Sequence, residues 1–221
     1  MNEAPASPAP TKPQASHGLE WLIWGALVLT VLAIAAAFTW TRIQDGGIGK
    51  TLEVKGEVPD FTLTNQFGQA ISRSNLLGQI WVGDVIFTTC PMSCERMTQR
   101  MRALQKDVSP GTGVKFVSLT VNPLFDTPPV LQRYAQRHEA DQTRWNFLTG
   151  LKSNVYELGI NGLKFAVLDN TNRTIPEDLF LHSTQFVLVD KHGKIRAWFE
   201  GTDEVERQQL LRAVKKLARE K

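Results

Sequence analysis

The hydrophobic and polar positions follow two different patterns along the chain, and the first is a long apolar run near the amino terminus. Residues 21–40 contain neither a charged residue nor a proline, and a helix of about 20 residues spans roughly 30 Å. A buried core helix of that length would show a polar face, which this segment lacks. Tryptophans stand near both ends, as at a membrane interface (Trp21, Trp24 and Trp40). The pattern therefore predicts one transmembrane helix over residues 21–40.

A cleaved signal peptide is the main alternative for this apolar run. Residues 35–37 are three alanines, which offer small side chains to a peptidase. However, the run is longer than the usual signal-peptide core of about 7 to 15 residues. The stretch before it has a single lysine, Lys12, set against Glu3 and Glu20. These features favour an uncleaved anchor.

The segments on either side of the apolar run are polar and of low complexity. Residues 1–20 are rich in Pro, Ala and Ser and are predicted to form a disordered tail, and residues 41–54 are predicted to form a linker. The tail lacks the Arg-rich, acid-poor character of a mitochondrial transit peptide, which favours a bacterial inner membrane. Lys12 on one side and Arg42 and Lys50 on the other leave the orientation of the helix open.

The second pattern begins at about residue 52 and alternates strand-like and helix-like stretches without an internal repeat. Strand patterns cover residues 58–63, 80–87, 114–121, 145–148, 186–189 and 195–199. Helix patterns cover the residues after Pro91, with Met97, Met101 and Leu104 at helical spacing, and residues 129–138, 153–158 and 203–219. This order predicts an α/β domain over residues 55–221, in which parallel strands joined by helices are closed by an antiparallel hairpin. That arrangement is typical of a thioredoxin-like fold with a central mixed sheet.

Length and composition add little about function but exclude some classes. The chain has 221 residues, which is enough for one domain of ordinary size plus extra segments. Its 42% hydrophobic and 21% charged residues are ordinary for a globular protein. The formal net charge of +3 is small and scattered, so nucleic acid is not expected as a partner.

The two cysteines, Cys90 and Cys94, are four residues apart in a chain that has no others. A structural disulfide stabilises mainly by closing a long loop, and this pair closes almost none. Cys90 follows an apolar strand and Pro91 suits the first helical position, which puts Cys90 near a helix N-cap, where a thiolate is stabilised. Cys94 then lies one turn further on the same face. Two core cysteines that merely pack are the disfavoured alternative, so the spacing predicts a reactive dithiol able to bind a metal or form a disulfide.

Two sulfur ligands favour copper(I), or zinc with additional ligands, over magnesium or calcium. Four histidines are candidates for a third ligand. His17 lies in the tail, His138 at a polar helix end and His192 in the hairpin turn, and all three are expected to be solvated. His182 lies just before the first hairpin strand, where thioredoxin-like proteins bring a loop against the dithiol. Position alone leaves its role open, because a lone histidine is more often structural.

Four stretches carry a family resemblance. They are TTCPMSC at 88–94, TVNPLFDTPPVLQRYA after the second strand of the predicted sheet, WNFLTG at 145–150 and LHSTQFVLVDKHGKI before and through the hairpin. In this order, over residues 55–218, the chain resembles the Sco family, also called SenC, of copper-binding assembly factors for cytochrome c oxidase. The resemblance implies that Cys90, Cys94 and His182 bind copper and that the two cysteines form a redox-active disulfide. It also implies a single-pass protein whose soluble domain faces the bacterial periplasm or the mitochondrial intermembrane space, and the composition of the tail favours the former.

Three positions depart from the pattern that is common in the family. Glu95 stands where proline usually follows the second cysteine, Leu181 where aspartate precedes the histidine, and Asn122 where aspartate follows the second strand. A histidine that binds a metal usually donates its other N–H to an oxygen acceptor. The sequence offers no carboxylate next to His182 for that purpose.

The resemblance implies a copper chaperone for the copper A site of cytochrome c oxidase subunit II or for other copper proteins. Copper chaperones or thiol reductants would be its other partners. A thiol:disulfide oxidoreductase acting on the cysteines of that site or on other extracytoplasmic proteins is the alternative, and a copper or redox sensor is a third. A peroxiredoxin is disfavoured, because Phe87 and Gly83 occupy the threonine and proline positions of that motif.

Overall fold

The computed structural model describes residues 17–45, 52–90, 93–169 and 180–220, and the chain divides into two compact units, 1–51 and 52–221. The helices are α1 (His17–Asp45), α2 (Arg73–Leu76), α3 (Ser93–Asp107), α4 (Pro128–Arg137), α5 (Lys152–Tyr156) and α6 (Glu204–Leu217). The strands are β1 (Gly56–Glu57), β2 (Thr62–Thr64), β3 (Ala70–Ser72), β4 (Trp81–Ile86), β5 (Lys115–Thr120), β6 (Trp145–Leu148), β7 (Val167–Asp169), β8 (Phe180–His182), β9 (Gln185–Val189) and β10 (Lys194–Glu200).

The first unit contains the long helix α1, which begins before the predicted span and ends after it. Its segment Glu20–Phe38 is long and apolar enough, by length and composition, to cross a membrane. The remainder of the predicted tail, residues 1–16, lies outside the described residues. The same holds for residues 46–51 of the predicted linker.

The second unit is built on a six-stranded mixed sheet in the order β1-β10-β9-β4-β5-β6. Strands β4, β5 and β6 are parallel, while β9 is antiparallel to β4 and β10 is antiparallel to β9. The helices α3 and α4 connect the parallel strands, and the β9–β10 hairpin closes the sheet. The predicted α/β class with a central mixed sheet is confirmed.

The core forms because the central strand β4 and the helix after it, α3, both bury apolar side chains. All six residues of β4 are buried. In α3 the side chains of Met97, Met101 and Leu104 have no exposed surface, in agreement with their helical spacing. Strand β4 and helix α3 are therefore rigid elements, and the segment between them contains Cys90.

Two short hairpins were not predicted as pairs, namely β2–β3 and β7–β8. Each of these strands has three residues, too few for an alternating pattern to identify. The strands β7 and β8 are separated by residues 170–179, which lie outside the described residues. The β7–β8 hairpin matters for function, because β8 ends at His182.

One arginine of the closing hairpin, Arg196, combines an ion pair within the hairpin with a contact to the start of the domain. Nη1 of Arg196 lies 2.7 Å from Oδ2 of Asp190, and both side chains are almost fully buried. The same guanidinium donates to the carbonyl oxygen of Leu52. One arginine thus holds the first described residue of the domain against β10.

Candidate metal and thiol site

The site lies at the carboxyl end of β4, where the chain turns from the sheet into α3. The backbone N–H of Cys90 donates to the carbonyl oxygen of Phe87 at 3.1 Å, which closes a tight turn. Helix α3 is described from Ser93, while Pro91 and Met92 lie outside the described residues. Cys90 therefore precedes α3, and Cys94 lies in its first turn.

The two cysteine side chains occupy different environments. Cys90 is partly buried, while Cys94 has no exposed surface, and both are free thiols. The backbone N–H of Cys94 donates to Sγ of Cys90 at 3.4 Å, and Oγ of Ser93 lies 3.3 Å from that sulfur. The start of α3 thus places hydrogen-bond donors at Cys90, as expected for a thiolate near a helix N-terminus.

These contacts shift the pKa values of the two thiols in opposite directions. A hydrogen bond from the Cys94 side chain, helped by His182 and Ser93, lowers the pKa of Cys90 to about 3 in spite of its burial. The pKa of Cys94 is raised, because its thiol is the donor in that hydrogen bond and because it is buried beside the negative charge of Cys90. At neutral pH, Cys90 is therefore the thiolate and Cys94 the protonated thiol.

His182 approaches the dithiol from the end of β8. Its Nε2 lies 3.0 Å from Sγ of Cys94, and its Nδ1 lies 2.9 Å from the carbonyl oxygen of Ser183. A carbonyl only accepts, so Nδ1 donates a ring hydrogen to Ser183, and Nε2 is the ring atom that faces the thiols. The backbone of Ser183 thus supplies an oxygen acceptor for the imidazole, although no carboxylate stands next to His182 in the sequence.

Aromatic packing also holds the imidazole ring. The ring of Phe87 meets that of His182 nearly edge-on, with 5.7 Å between centroids, and meets the ring of Phe180 at 5.2 Å. Phe87 has almost no exposed surface. Since Phe87 directly follows β4, the same segment orients both the histidine and Cys90.

The donor atoms of Cys90, Cys94 and His182 all lie within 4.8 Å of one another. Among the described residues, this is the one group of three or more His, Cys, Asp or Glu side chains close enough to hold a metal ion. Two sulfurs and an imidazole nitrogen suit a soft cation such as copper(I) better than magnesium or calcium. The three residues singled out in the sequence are thus brought together by the fold.

The other histidines lie elsewhere, and the expectation that His138 is solvated was wrong. Its side chain is nearly buried, because the end of α4 packs over α3. The ring of His138 lies 4.3 Å from that of Tyr134, and its Nε2 is 3.4 Å from a carboxylate oxygen of Glu95. Burial lowers the pKa of His138. His192 is exposed in the β9–β10 turn, and the side chain of His17 lies outside the described residues.

Sequence reasoning missed Asp84, a buried carboxyl group in the centre of β4. It is 1% exposed, and Oδ1 accepts a hydrogen bond from Oγ of Ser118 at 2.6 Å. Burial raises the pKa of Asp84 to about 7, while the nearby His182 acts in the opposite direction. Its charge in turn contributes to the raised pKa of Cys94. A single acidic residue within the apolar run IWVGDVIF is the sequence signal that could have identified Asp84 as a buried carboxyl group.

A second missed acid, Asp126, lies in the loop after β5 and is completely buried. Its carboxylate accepts hydrogen bonds from the backbone N–H and the hydroxyl of Thr88 and from the hydroxyl of Thr120. Asn122, which occupies the position where the family commonly has aspartate, donates its backbone N–H to the Thr120 hydroxyl. The buried carboxylate of this loop thus belongs to Asp126, four residues after Asn122.

The family model described as SCO1/SenC matches residues 50–219, which is most of the chain and contains the whole site. The chain belongs to the SCO1/SenC family. The match to the family model begins just ahead of β1 and ends within the last residues of the domain. The family assignment thus rests on the domain that contains the dithiol and His182.

Individual relatives agree with this assignment. A SCO1 protein homolog from Bacillus subtilis is 32% identical over 161 residues, which cover 72% of this SCO1/SenC chain and 81% of the relative. BsSco, a member of the Sco family of cytochrome c oxidase assembly proteins in which a disulfide switch was identified, is 30% identical with a TM-score of 0.68. The match covers 78% of this chain and all of that one.

A third relative is more distant. ScoI from Bradyrhizobium japonicum, solved with copper bound, is 20% identical with a TM-score of 0.58, covering 73% of this chain and 99% of that chain. At this identity, the likeness shows the shared fold of the domain.

Proposed function

We propose that this SCO1/SenC protein is a copper(I) metallochaperone, for which the copper A site of cytochrome c oxidase subunit II is the principal recipient. The observation that carries the proposal is the convergence of two sulfurs and an imidazole nitrogen within 4.8 Å. Further support comes from BsSco, a member of a family of cytochrome c oxidase assembly proteins, and from ScoI, which was solved with copper bound. Copper is the cargo in this proposal.

The three side chains would contribute to copper binding in different ways. Cys90 is already a thiolate at neutral pH and is partly accessible, so it offers the first sulfur. Nε2 of His182 is the ring atom that would bind copper, because Nδ1 is held by its hydrogen bond to Ser183. Cys94 must release its proton before its sulfur binds, so binding of copper(I) releases about one proton at neutral pH.

Ligand exchange would take place on the Cys90 side of the site. Cys94 has no exposed surface, whereas Cys90 is partly exposed, so a thiolate from a recipient reaches copper more readily beside Cys90. Transfer then proceeds by replacing the protein ligands one at a time, without any change in the oxidation state of copper or sulfur. Other copper chaperones or thiol reductants are the proposed sources of copper and electrons.

We also propose that α1 anchors the protein as a single-pass, uncleaved helix in a bacterial inner membrane, with the soluble domain in the periplasm. Residues 1–20 would form a tail, 21–40 the membrane span, 41–54 a linker and 55–221 the functional domain. The apolar segment Glu20–Phe38 supports the anchor. Periplasmic exposure would suit both copper exchange and thiol redox chemistry.

The asymmetry of the two thiols favours a second candidate function, a thiol:disulfide oxidoreductase. The Cys90 thiolate would attack a disulfide of the partner, forming a mixed disulfide and releasing one partner thiolate. Cys94, after losing its proton to solvent, would attack Cys90 and release the second partner thiolate. The partner disulfide gains two electrons, and the Cys90–Cys94 disulfide forms. The disulfide switch identified in BsSco supports this alternative.

One experiment separates the two functions. The full chain in detergent micelles is reduced, loaded with one equivalent of copper(I) and mixed with an apo copper A domain. Metal transfer and free thiols are followed together, with Cys94→Ser as the control. The copper A domain is presented once with its cysteines reduced and once with its cysteines joined in a disulfide. Copper transfer to the reduced form without oxidation of Cys90 and Cys94 supports the chaperone. Oxidation of Cys90 and Cys94 by the disulfide form, with gain of two thiols on that domain and no copper transfer, supports the oxidoreductase. Failure of the reduced wild-type chain to bind copper(I) would contradict the first function.

A further inference from the structure

The turn that carries Cys90 is attached to a second loop of the domain by one buried carboxylate. Thr88 is two residues before Cys90, inside the turn closed by the hydrogen bond from Cys90 to Phe87. Oδ2 of Asp126 accepts the backbone N–H of Thr88 at 3.1 Å, and Oδ1 accepts its hydroxyl. Asp126 therefore holds both donors of Thr88.

Burial of this carboxylate is unfavourable unless its hydrogen bonds compensate for the loss of water. Asp126 has no exposed surface, and burial raises its pKa. Its donors are one N–H and two hydroxyls, which belong to Thr88 and Thr120. The hydrogen bonds from Thr120 and Thr88 act against this effect of burial and favour the carboxylate, and hydrogen bonds to a carboxylate are about twice as strong as neutral ones.

The loop around Asp126 is otherwise oriented away from the core. Leu124, two residues earlier, is 83% exposed, and Phe125 is also exposed. The loop is closed by hydrogen bonds from the backbone N–H groups of Phe125 and Asp126 to the carbonyl oxygen of Asn122. Asp126 is thus the buried contact through which this exposed loop meets the Cys90 turn.

We propose that Asp126 is a positioning residue of the copper and thiol site, acting through Thr88 to hold the Cys90 turn. With Thr88 fixed, Sγ of Cys90 stays within reach of the Cys94 N–H and of the other two donor atoms. Without that anchor, the turn has more conformations, and ordering it must be added to the free energy of binding copper. The copper part of this inference rests on the proposed function, and the disulfide part does not.

The test compares variants of the full chain in detergent by two measurements. One is the affinity for copper(I), from competition with a chromogenic chelator. The other is the equilibrium constant between dithiol and disulfide in glutathione buffers.

In Asp126→Asn, an amide NH₂ faces a donor, so one hydrogen bond to Thr88 or Thr120 is lost. We expect copper(I) affinity to fall about 10- to 100-fold, as when a group that orients a metal ligand is removed. We also expect a changed glutathione equilibrium.

Variants of the two threonines separate positioning of the turn from a general structural role. Thr88→Val removes the hydroxyl that faces Asp126, and we expect a loss of affinity in the same direction. Thr88→Ser keeps the hydroxyl and should restore near-wild-type values. Thr120→Val removes the other hydroxyl, which belongs to β5 and not to the Cys90 turn. It should lower stability to urea with less effect on copper affinity.

A further variant tests whether Asp126 acts through Thr88. Combining Asp126→Asn with Thr88→Val should weaken binding by less than the sum of the two single effects, because both substitutions act on the contact between Asp126 and Thr88. Leu124→Ala serves as the matched loop control and should leave both measurements unchanged.

The proposal is overturned if folded Asp126→Asn keeps wild-type copper affinity and the wild-type glutathione equilibrium. It is also overturned if Thr120→Val alters both as much as Thr88→Val does. If Asp126→Asn does not fold, Thr88→Val and Thr88→Ser test the proposal in its place. A wild-type copper(I) affinity and glutathione equilibrium in Thr88→Val then contradict it. If the wild-type chain binds no copper(I), the proposed function fails, while the glutathione equilibrium still tests Asp126.

Discussion

Sγ of Cys94 and Nε2 of His182 lie 3.0 Å apart, although 88 positions separate the two residues in the sequence. Cys94 is held by the first turn of α3, and His182 by the last position of β8. The backbone carbonyl of Ser183 and the ring of Phe87 fix the imidazole in this orientation. The third donor of the site therefore depends on the packing of the β7–β8 hairpin against the end of β4.

Replacing His182 should separate metal binding from disulfide formation. In His182→Ala the imidazole nitrogen is lost while both sulfurs remain. We expect the affinity for copper(I) to fall by at least about tenfold, whereas the Cys90–Cys94 disulfide should still form. Competition titration with a chelator measures the first effect, and thiol counting after oxidation measures the second. His192→Ala, in the exposed turn, is the control. Unaltered copper affinity in His182→Ala would show that His182 is not a ligand.

The two thiols should react at very different rates with an alkylating agent. The pKa of Cys90 is about 3, so its thiolate persists in mild acid, while Cys94 stays protonated and buried. At about pH 5 we expect iodoacetamide to modify Cys90 first, with Cys94 largely protected. Peptide mass spectrometry assigns the site. In Cys94→Ala the main hydrogen bond that lowers the pKa of Cys90 is lost, so alkylation in acid should slow. Preferential modification of Cys94 would contradict the assignment.

Asp84 should make the reduced protein less stable as the pH rises. The pKa of Asp84 is about 7 in the folded state against 3.8 for a free aspartate, so the folded protein binds more protons between these values. The stability associated with the protonated group is complete below about pH 4 and is lost as the pH approaches 7. Relative to Asp84→Asn, the wild type should lose on the order of 4 kcal/mol of unfolding free energy over that range. Urea denaturation at several pH values measures this difference, and parallel profiles would refute it.

Removing Arg196 should destabilise the domain without altering its thiol chemistry. In Arg196→Leu the buried carboxylate of Asp190 loses its ion pair, and the Leu52 carbonyl loses its donor. Removing one partner of a buried pair typically costs about 3 to 5 kcal/mol. Chemical denaturation should reveal this loss, and Arg212→Leu, at an exposed position of α6, should change stability little. Equal effects of the two substitutions would mean that the pair contributes nothing specific.

Much of the domain could be predicted from the sequence, because its elements carry strong local patterns. The apolar run at 80–87 predicted β4, and the spacing of Met97, Met101 and Leu104 predicted α3. The junction between a buried strand and a helix predicted that the two cysteines act together, since both lie on one short stretch of chain. Each of these inferences needs interactions only between residues that are close in sequence.

The rest of the site could not be read from local patterns. Asp84 and Asp126 are single acids in an apolar strand and a polar loop, and their hydrogen-bond partners lie on other segments. The burial of His138 also escaped prediction, because it results from the packing of α4 on α3. Burial and partner choice depend on which surfaces face each other, and local sequence does not determine this.

The sequence by itself determined the apolar helix near the amino terminus, the α/β order of elements and the closeness of Cys90 and Cys94 where β4 leads into α3. Helical and strand periodicity and a four-residue spacing are local properties that short stretches of chain encode. Only the tertiary structure decided that His182 meets Cys94, that His182 helps to lower the pKa of Cys90 and that Asp126 holds the turn before Cys90. These relationships require hydrogen bonds and burial between segments distant in the chain, so they arise only once the sheet, α3 and the β7–β8 hairpin have packed together.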